Sequence, residues 1–196
     1  WTIHRGWRKL SPGEVLRLPL GMMPGTMPQP LAYWSAAAAA QASLANPFRG
    51  SRADAAAELD ELLRDAVRLC MVSDVPLGAF LSGGIDSSAV VAIMQSLGGP
   101  PVKSFSIGFR EPDLDEAPYA RAVAQHLGTD HSELYVEEAD ALAVVPELGR
   151  LYDEPFADSS QIPTYLVSRL TRQSVTVSLS GDAGDELVAR MKVRIH

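Results

Sequence analysis

The sequence has little cysteine, no long apolar runs and few basic residues, and each shortage excludes a class of protein. Cys70 is the single cysteine among 196 residues, so the chain can form neither an internal disulfide nor a metal cluster of cysteines. No apolar run reaches the roughly 18 residues of a membrane span. With 17 basic against 24 acidic residues the formal net charge is −7, which argues against a general nucleic-acid or membrane-surface role. We therefore expect a cytoplasmic protein whose partners are small molecules rather than nucleic acid or membrane.

The first 50 residues lack the regular periodicity of the rest. Residues 1–18 carry a Ser-Pro-Gly turn before a β-prone segment, which predicts a small hairpin resembling the end of another domain. Prolines then interrupt regular structure up to residue 30. Residues 31–50, with their alanine run, are interpreted as a linker. The main domain is predicted to comprise residues 51–196.

From residue 51 onward, helical and strand patterns alternate. Strands are predicted at 77–81, 105–109, 134–136 and 175–179. Helices are predicted at 51–70, 89–97, 117–127, 139–145, 146–152 and 161–172, with Cys70 as a small core residue of the first. Strands separated by helices of these lengths form βαβ units, so the pattern predicts an α/β fold, a parallel β-sheet flanked by helices. Ligands of such sheets bind at the carboxyl ends of the strands.

A glycine-rich loop, residues 82–88, follows the first of these strands and reads Ser-Gly-Gly-Ile-Asp-Ser-Ser. Gly83 and Gly84 leave the backbone N–H groups open to an anion, and the following helix directs its positive end to the same place. Asp86 would repel a phosphate unless a cation such as Mg²⁺ lies between them. The alternative is an ordinary strand-to-helix turn with a Ser or Asp cap.

A second acidic loop, residues 180–187, follows the last predicted strand and reads Ser-Gly-Asp-Ala-Gly-Asp-Glu-Leu. Taken alone it is typical of an ordinary helix start, because acids favour the first helical turn. Two such loops at the ends of parallel strands favour a shared site. Asp86 and Asp185 are then candidate ligands of one Mg²⁺, and Asp182 is left for orientation or proton transfer.

These motifs resemble a known enzyme family. The string 82–88 after an apolar strand resembles the PP-loop of the ATP pyrophosphatases, which cleave ATP to AMP and pyrophosphate. Its pairing with 180–187 resembles the synthetase domain of glutamine-hydrolysing asparagine synthetases. The segments 104–109, 127–131 and 152–160 match that family too.

The resemblance implies a PP-loop ATP pyrophosphatase fold (adenine nucleotide alpha hydrolase-like) that is incomplete at its carboxyl end. It identifies residues 1–30 as the remnant of an amino-terminal glutaminase domain. It implies ATP, Mg²⁺, aspartate and glutamine-derived ammonia as reactants, and it allows a homodimer of the full-length protein. The reaction implied is activation of aspartate as β-aspartyl-AMP with release of pyrophosphate, followed by attack of ammonia.

Site residues are carried over by position. Asp86 and Asp182 take the catalytic positions, with Asp182 near the attacking ammonia, and Asp86 and Asp185 hold the metal. Phe80 and Ile107 flank the adenine. The resemblance assigns ATP binding to Phe80, Leu81, Ser82, Gly83, Gly84, Asp86, Ser87, Ser88, Ile107, Ser180 and Gly181.

Three positions depart from the family. Trp1 stands where glutamine-using members expose a cysteine nucleophile, so we expect no glutamine hydrolysis by that route. Ala183 replaces a common glycine, and the family's catalytic lysine is not transferred to Lys192.

Two alternatives stay open: a β-lactam synthetase-like acyl-adenylating enzyme, and a truncated chain that binds nucleotide without turnover.

Overall fold

The computed structural model describes residues 2–111, 115–155, 157–182 and 184, and the chain divides into two compact units, Trp1–Ala56 and Ala57–His196. The first unit contains strands β1 (Glu14–Val15) and β2 (Leu31–Ala32) and helix α1 (Ala36–Ala45). The other elements follow in chain order: α2 (Arg52–Cys70), β3 (Leu77–Phe80), α3 (Ile85–Ser96), β4 (Lys103–Phe109), α4 (Ala117–Leu127), β5 (Asp130–Val136), α5 (Glu138–Val144), a 3₁₀ turn (Val145–Glu147), α6 (Leu148–Leu151), α7 (Gln161–Thr171) and β6 (Val177–Leu179).

The first unit differs from the predicted hairpin within residues 1–18. Strand β1 pairs antiparallel with β2, beyond the prolines. Gly13 adopts a φ of 76° and its carbonyl accepts a hydrogen bond of 2.8 Å from the Tyr33 N–H, so the chain returns to this turn. Within residues 31–50, α1 begins where the Ser35 side chain accepts from the Ala38 N–H. The assignment of these segments to a glutaminase remnant and a linker stays a prediction.

The second unit is built on a four-stranded sheet in the order β5-β4-β3-β6, and all three neighbouring pairs are parallel. The predicted α/β fold with a parallel sheet is therefore confirmed. Strand β5 begins at Asp130, earlier than the predicted 134, because it pairs with β4 from Lys103↔Asp130 to Phe109↔Val136.

Helices cover both faces of this sheet. Ala79 of β3 and Leu81, which directly follows β3, belong to a core cluster that includes residues of α2, α3 and α4, whereas Phe80 between them packs against Phe105 and Val167. Successive residues of a strand point to opposite faces, so these clusters lie on opposite sides of the sheet. The fold thus leaves the carboxyl ends of β3 and β6 as the edge at which both predicted loops begin.

The expectation that Cys70 is a core residue is wrong. Cys70 is exposed at the end of α2, a helix in which Val67 is the buried residue. Leu62 and Leu69 of α2 are exposed as well. Within the described residues, no helix combines the length and the apolar character that crossing a membrane requires.

Candidate functional site

The first loop connects the end of β3 to the start of α3. Gly83 has a φ of 82°, a conformation that favours glycine. Gly84 is the N-cap residue of α3 and makes no side-chain cap hydrogen bond. The helix dipole of α3 directs its positive end to this loop, where it attracts an anion.

The serine hydroxyls of this loop hold the loop itself. The Ser87 hydroxyl accepts from the Ser82 N–H at 3.2 Å, lies 2.9 Å from the Ser82 hydroxyl, and donates to the Gly84 carbonyl at 3.3 Å. The Gly84 N–H donates to Ser82 Oγ at 3.3 Å. Ser82 and Ser87 thus fix the curvature of the loop before any ligand binds.

The second loop lies directly against the first. A Cβ atom on Gly181 would lie 2.6 Å from the Ser87 nitrogen, and one on Gly184 would lie 2.9 Å from Asp86 Oδ2. Real Cβ atoms do not approach backbone atoms this closely, so Gly181 requires glycine for steric reasons, whereas a Cβ on Gly184 would meet only the side chain of Asp86. The pairing of the two loops that the sequence suggested is therefore realised as backbone contact.

Asp182 is tied to its own loop. Its carboxylate accepts a hydrogen bond of 3.0 Å from the Ser180 hydroxyl, and its N–H donates to Ser180 Oγ at 3.4 Å. The sequence suggested a carboxylate left for orientation or proton transfer. The structure shows that this carboxylate already has one hydrogen-bond donor.

Two neighbouring cavities open at this edge of the sheet. The first, of about 550 Å³, lies between the loops and is lined from both sides. The second, of about 590 Å³, is mostly apolar and shares Phe80 and Ser82 with the first. A polar cavity beside an apolar one matches a ligand with a charged part and a flat apolar part.

Most of the predicted site residues line these cavities. The first cavity brings together Phe80, Ser82, Gly84, Asp86, Ser87, Ser180, Gly181 and Asp182. Leu81 and Ile107 line the second cavity with Phe80. Their roles as ligand-binding residues stay predictions.

Two predicted residues that the structure describes, Gly83 and Ser88, line neither cavity. Gly83 packs against α4, where an added Cβ would lie 2.6 Å from Tyr119 Cβ and from the Ala120 nitrogen. The Ser88 hydroxyl is buried and has no hydrogen-bond partner among the described residues. Asp185 lies outside the described residues, as do Ala183 and Lys192.

No group of three or more metal-type side chains occurs within the part of the chain that the structure describes. The carboxylate of Asp86 nevertheless lines the first cavity and meets Gly184, the residue that precedes Asp185. Its oxygen donors are of the kind that Mg²⁺ prefers. The residues present therefore fit a magnesium ion, which one or two carboxylates and phosphate oxygens usually hold.

Several residues of the second cavity were missed by the sequence reasoning. Glu116 precedes α4, and Pro163, Thr164 and Val167 lie on α7. Ser159 belongs to the matched segment 152–160, to which no individual role was given. The sequence predicted a helix at 161–172, and helical spacing alone does not indicate that one face of the helix borders a cavity.

Comparison with known proteins agrees with this geometry. The family model for asparagine synthase matches residues 58–194. A relative from Methanocaldococcus jannaschii, provisionally named as a glutamine-hydrolysing asparagine synthetase, is 48% identical over 128 residues, which is 65% of this chain and 25% of that protein. Asparagine synthetase 1 (glutamine-hydrolysing) of Bacillus subtilis is 37% identical over 130 residues, covering 66% of this chain and 20% of that protein.

The chain spans about a quarter of the length of these curated relatives. Among solved structures, the NH3-dependent NAD synthetase from Campylobacter jejuni has 14% sequence identity and a TM-score of 0.47, covering 66% of this chain and 58% of that chain. That likeness is loose, and the assignment of an α/β fold depends instead on the parallel strand order of this chain. The family model covers well over half of the chain, and it includes both loops and the sheet between them. This chain belongs to the asparagine synthase family.

Proposed function

We propose that this chain is the nucleotide-binding part of an enzyme that forms an amide at the expense of ATP. In the proposed reaction the side-chain carboxylate of aspartate attacks the α-phosphorus of ATP. The bond between the α-phosphorus and the bridging oxygen breaks, and pyrophosphate leaves with that electron pair. Ammonia then attacks the acyl carbon of β-aspartyl-AMP, AMP leaves, and the amide nitrogen loses a proton.

The first loop is proposed to hold the departing pyrophosphate. Its charge grows in the transition state, and backbone N–H groups already aimed at that position stabilise it without reorganisation. The uncapped start of α3 supplies such groups, and the hydrogen bonds between Ser82 and Ser87 hold them in place. This arrangement supports a role in binding the leaving group.

The second cavity is proposed to hold the adenine. Phe80 borders both cavities, and Ile107 lies with it in the apolar one, so a base placed there adjoins phosphates placed at the first loop. Burial of a flat aromatic base between apolar side chains is favourable by the hydrophobic effect.

Asp86 and Asp185 are the residues proposed to hold magnesium. Bound there, the ion would neutralise charge on the phosphate oxygens. Asp182 is proposed to lie beside the acyl group, and its hydrogen bond from Ser180 would fix the direction of its carboxylate. Ser180 and Gly181 are proposed to contact the nucleotide from the second loop.

One observation carries this proposal: the backbone of the second loop touches the backbone of the first at Gly181 and Ser87. An ordinary N-capped helix start needs no such partner. The close approach at Gly181 supports a single shared site, and both Asp86 and Asp182 line the cavity between the loops.

Titration calorimetry with ATP and Mg²⁺ tests the proposal. The unaltered chain should bind ATP in a magnesium-dependent manner, and Asp86→Asn should weaken binding by about tenfold or more, because one of few carboxylate ligands is lost. Asp74→Asn is the matched control, since Asp74 is exposed in the loop before β3, at the opposite end of that strand. Equal affinity in the Asp86→Asn and Asp74→Asn variants would refute the placement of the nucleotide.

A second assay separates binding from turnover. Release of pyrophosphate with ATP, aspartate and ammonia would support the complete reaction for this chain. Binding without release would support the alternative of a chain that binds nucleotide and does not turn it over.

A further inference from the structure

A cluster of polar side chains lies on the sheet beside α4, where helix-covered strands are usually apolar. Ser104 and Ser106 of β4 are buried, and next to them on β5 lie His131 and Glu133. The side chain of His131 is 10% exposed and that of Glu133 is 16% exposed. None of these four residues lines the cavity between the two loops.

Hydrogen bonds connect the members of the cluster. The ring of His131 lies between two hydroxyls, with Nδ1 at 2.8 Å from Ser104 Oγ and Nε2 at 3.2 Å from Ser106 Oγ. His131 Nε2 is also 3.4 Å from Glu133 Oε1. Burial lowers the pKa of His131, so near neutral pH its ring is uncharged and has one donor and one acceptor nitrogen.

Arg121 of α4 completes the cluster from the helix side. Its Nε and Nη2 atoms donate to Glu133 Oε1 and Oε2 at 2.8 and 2.5 Å, which is the bidentate geometry of a strong ion pair. These hydrogen bonds lower the pKa of the Glu133 carboxyl. Arg121 Nη2 also reaches the Tyr135 hydroxyl at 3.4 Å, and that hydroxyl donates to Asp115 at 3.5 Å.

The same helix, α4, supports the first loop. Tyr119 and Ala120, which directly precede Arg121, are the residues that an added Cβ on Gly83 would meet at 2.6 Å. Gly83 therefore rests on the first turns of α4. At the other end of the cluster, Ser106 lines the apolar cavity and precedes Ile107, which also lines it. The cluster thus connects α4, which supports the first loop, to β4, which lines the second cavity.

We propose that Arg121, Glu133 and His131 are positioning residues. They fix α4 on the sheet, and α4 in turn sets the position of the first loop relative to the part of β4 that lines the second cavity. This inference rests on the proposed function. The side chain of Arg121 is 46% exposed, and solvent-screened ion pairs add little net stability, whereas the bidentate bonds to Glu133 fix geometry well. Loss of Arg121 should therefore loosen the loop more than it loosens the fold.

Amide hydrogen exchange of the unliganded chain provides the first test, because it requires no nucleotide. In Arg121→Met, exchange within residues 82–87 should accelerate by about tenfold at Ser82 and Gly84, whose N–H groups donate to serine hydroxyls of the loop. A factor of about ten is the lower range for loss of a charge-assisted hydrogen bond. Exchange in α7 should stay unchanged. Arg68→Met is the matched control, because Arg68 forms an exposed pair with Asp65 within α2, and it should leave residues 82–87 unchanged.

Affinity for ATP with Mg²⁺ is the second readout, and it should fall about tenfold in Arg121→Met and less in Arg121→Lys, which keeps a charged donor. Glu133→Gln keeps the side-chain shape and one acceptor, so it should accelerate exchange at residues 82–87 by a smaller factor even where Arg121→Met fails to fold. Unchanged exchange at residues 82–87, or equal acceleration throughout the sheet, would overturn the inference. Absence of ATP binding by the unaltered chain would instead refute the proposed function. The exchange results would still decide whether Arg121, Glu133 and His131 position the first loop.

Discussion

Replacement of Gly181 by alanine should separate the two loops. The added Cβ would lie 2.6 Å from the Ser87 nitrogen, 2.8 Å from the Asp86 carbonyl carbon and 3.0 Å from Ser87 Cα. All three atoms are backbone atoms in the first turn of α3, which cannot rotate away as a side chain can. Because ordinary contact begins at 3.4 Å, the second loop must move by about 0.8 Å.

That displacement should affect both stability and binding. Overpacking of this kind typically costs about 1–3 kcal/mol in the free energy of unfolding. Misplacement of binding groups by about 1 Å can reduce activity by up to about a hundredfold, so we expect ATP affinity to fall by about ten- to a hundredfold. The expected loss comes from the altered spacing of the loops, since the side chain of Asp86 is unchanged.

Calorimetric titration with ATP and Mg²⁺, beside urea denaturation, measures both effects. Gly149→Ala is the matched control, because Gly149 lies in α6 and an added Cβ there meets nothing within 4 Å. This control should keep its ATP affinity and gain up to about 1 kcal/mol of stability from the better helix former. If Gly181→Ala binds ATP as tightly as Gly149→Ala and is as stable, the close approach of the loops is refuted.

Two further predictions concern the fold. The pKa of His131 is lowered by burial from its ordinary value of 6.5, so the unfolded chain binds a proton before the folded chain does and stability falls as pH drops below about 6.5. Urea denaturation between pH 8 and 5 should show this slope, and His131→Gln should reduce it; equal slopes would contradict the assignment. Phe105, which is 1% exposed, packs against Val167, and Phe105→Ala should cost about 3–5 kcal/mol by urea denaturation, whereas a cost below about 1 kcal/mol would contradict its place in the core.

Much of the sheet was predictable from the sequence, because the strand 77–81 is an apolar run that ends before Ser82 and the strand 105–109 has apolar residues at alternate positions. The strand 77–81, for example, was found within one residue of β3. Strand β5 was predicted too short, because its first residues, Asp130 to Glu133, are polar. His131 and Glu133 among them face a polar cluster rather than an apolar helix, and periodicity detects only apolar faces.

The candidate site was predictable where local chain geometry determines it. The glycines and serines of the first loop and the glycines of the second indicated where the backbone turns and approaches. The walls contributed by Glu116 and Thr164 were not predictable, because they come from helices distant in sequence. The support of Gly83 by Tyr119 and Ala120 depends on how α4 packs, which local patterns do not specify.

A crystal structure of the chain with Mg²⁺ and α,β-methylene-ATP tests the central claim most directly, because the methylene group prevents cleavage at the α-phosphorus. We expect the triphosphate over residues 82–87, the base in the cavity that Phe80 and Ile107 line, and the metal on the carboxylate of Asp86. A nucleotide bound elsewhere, or one bound with its base between the two loops and its phosphates away from α3, would contradict it.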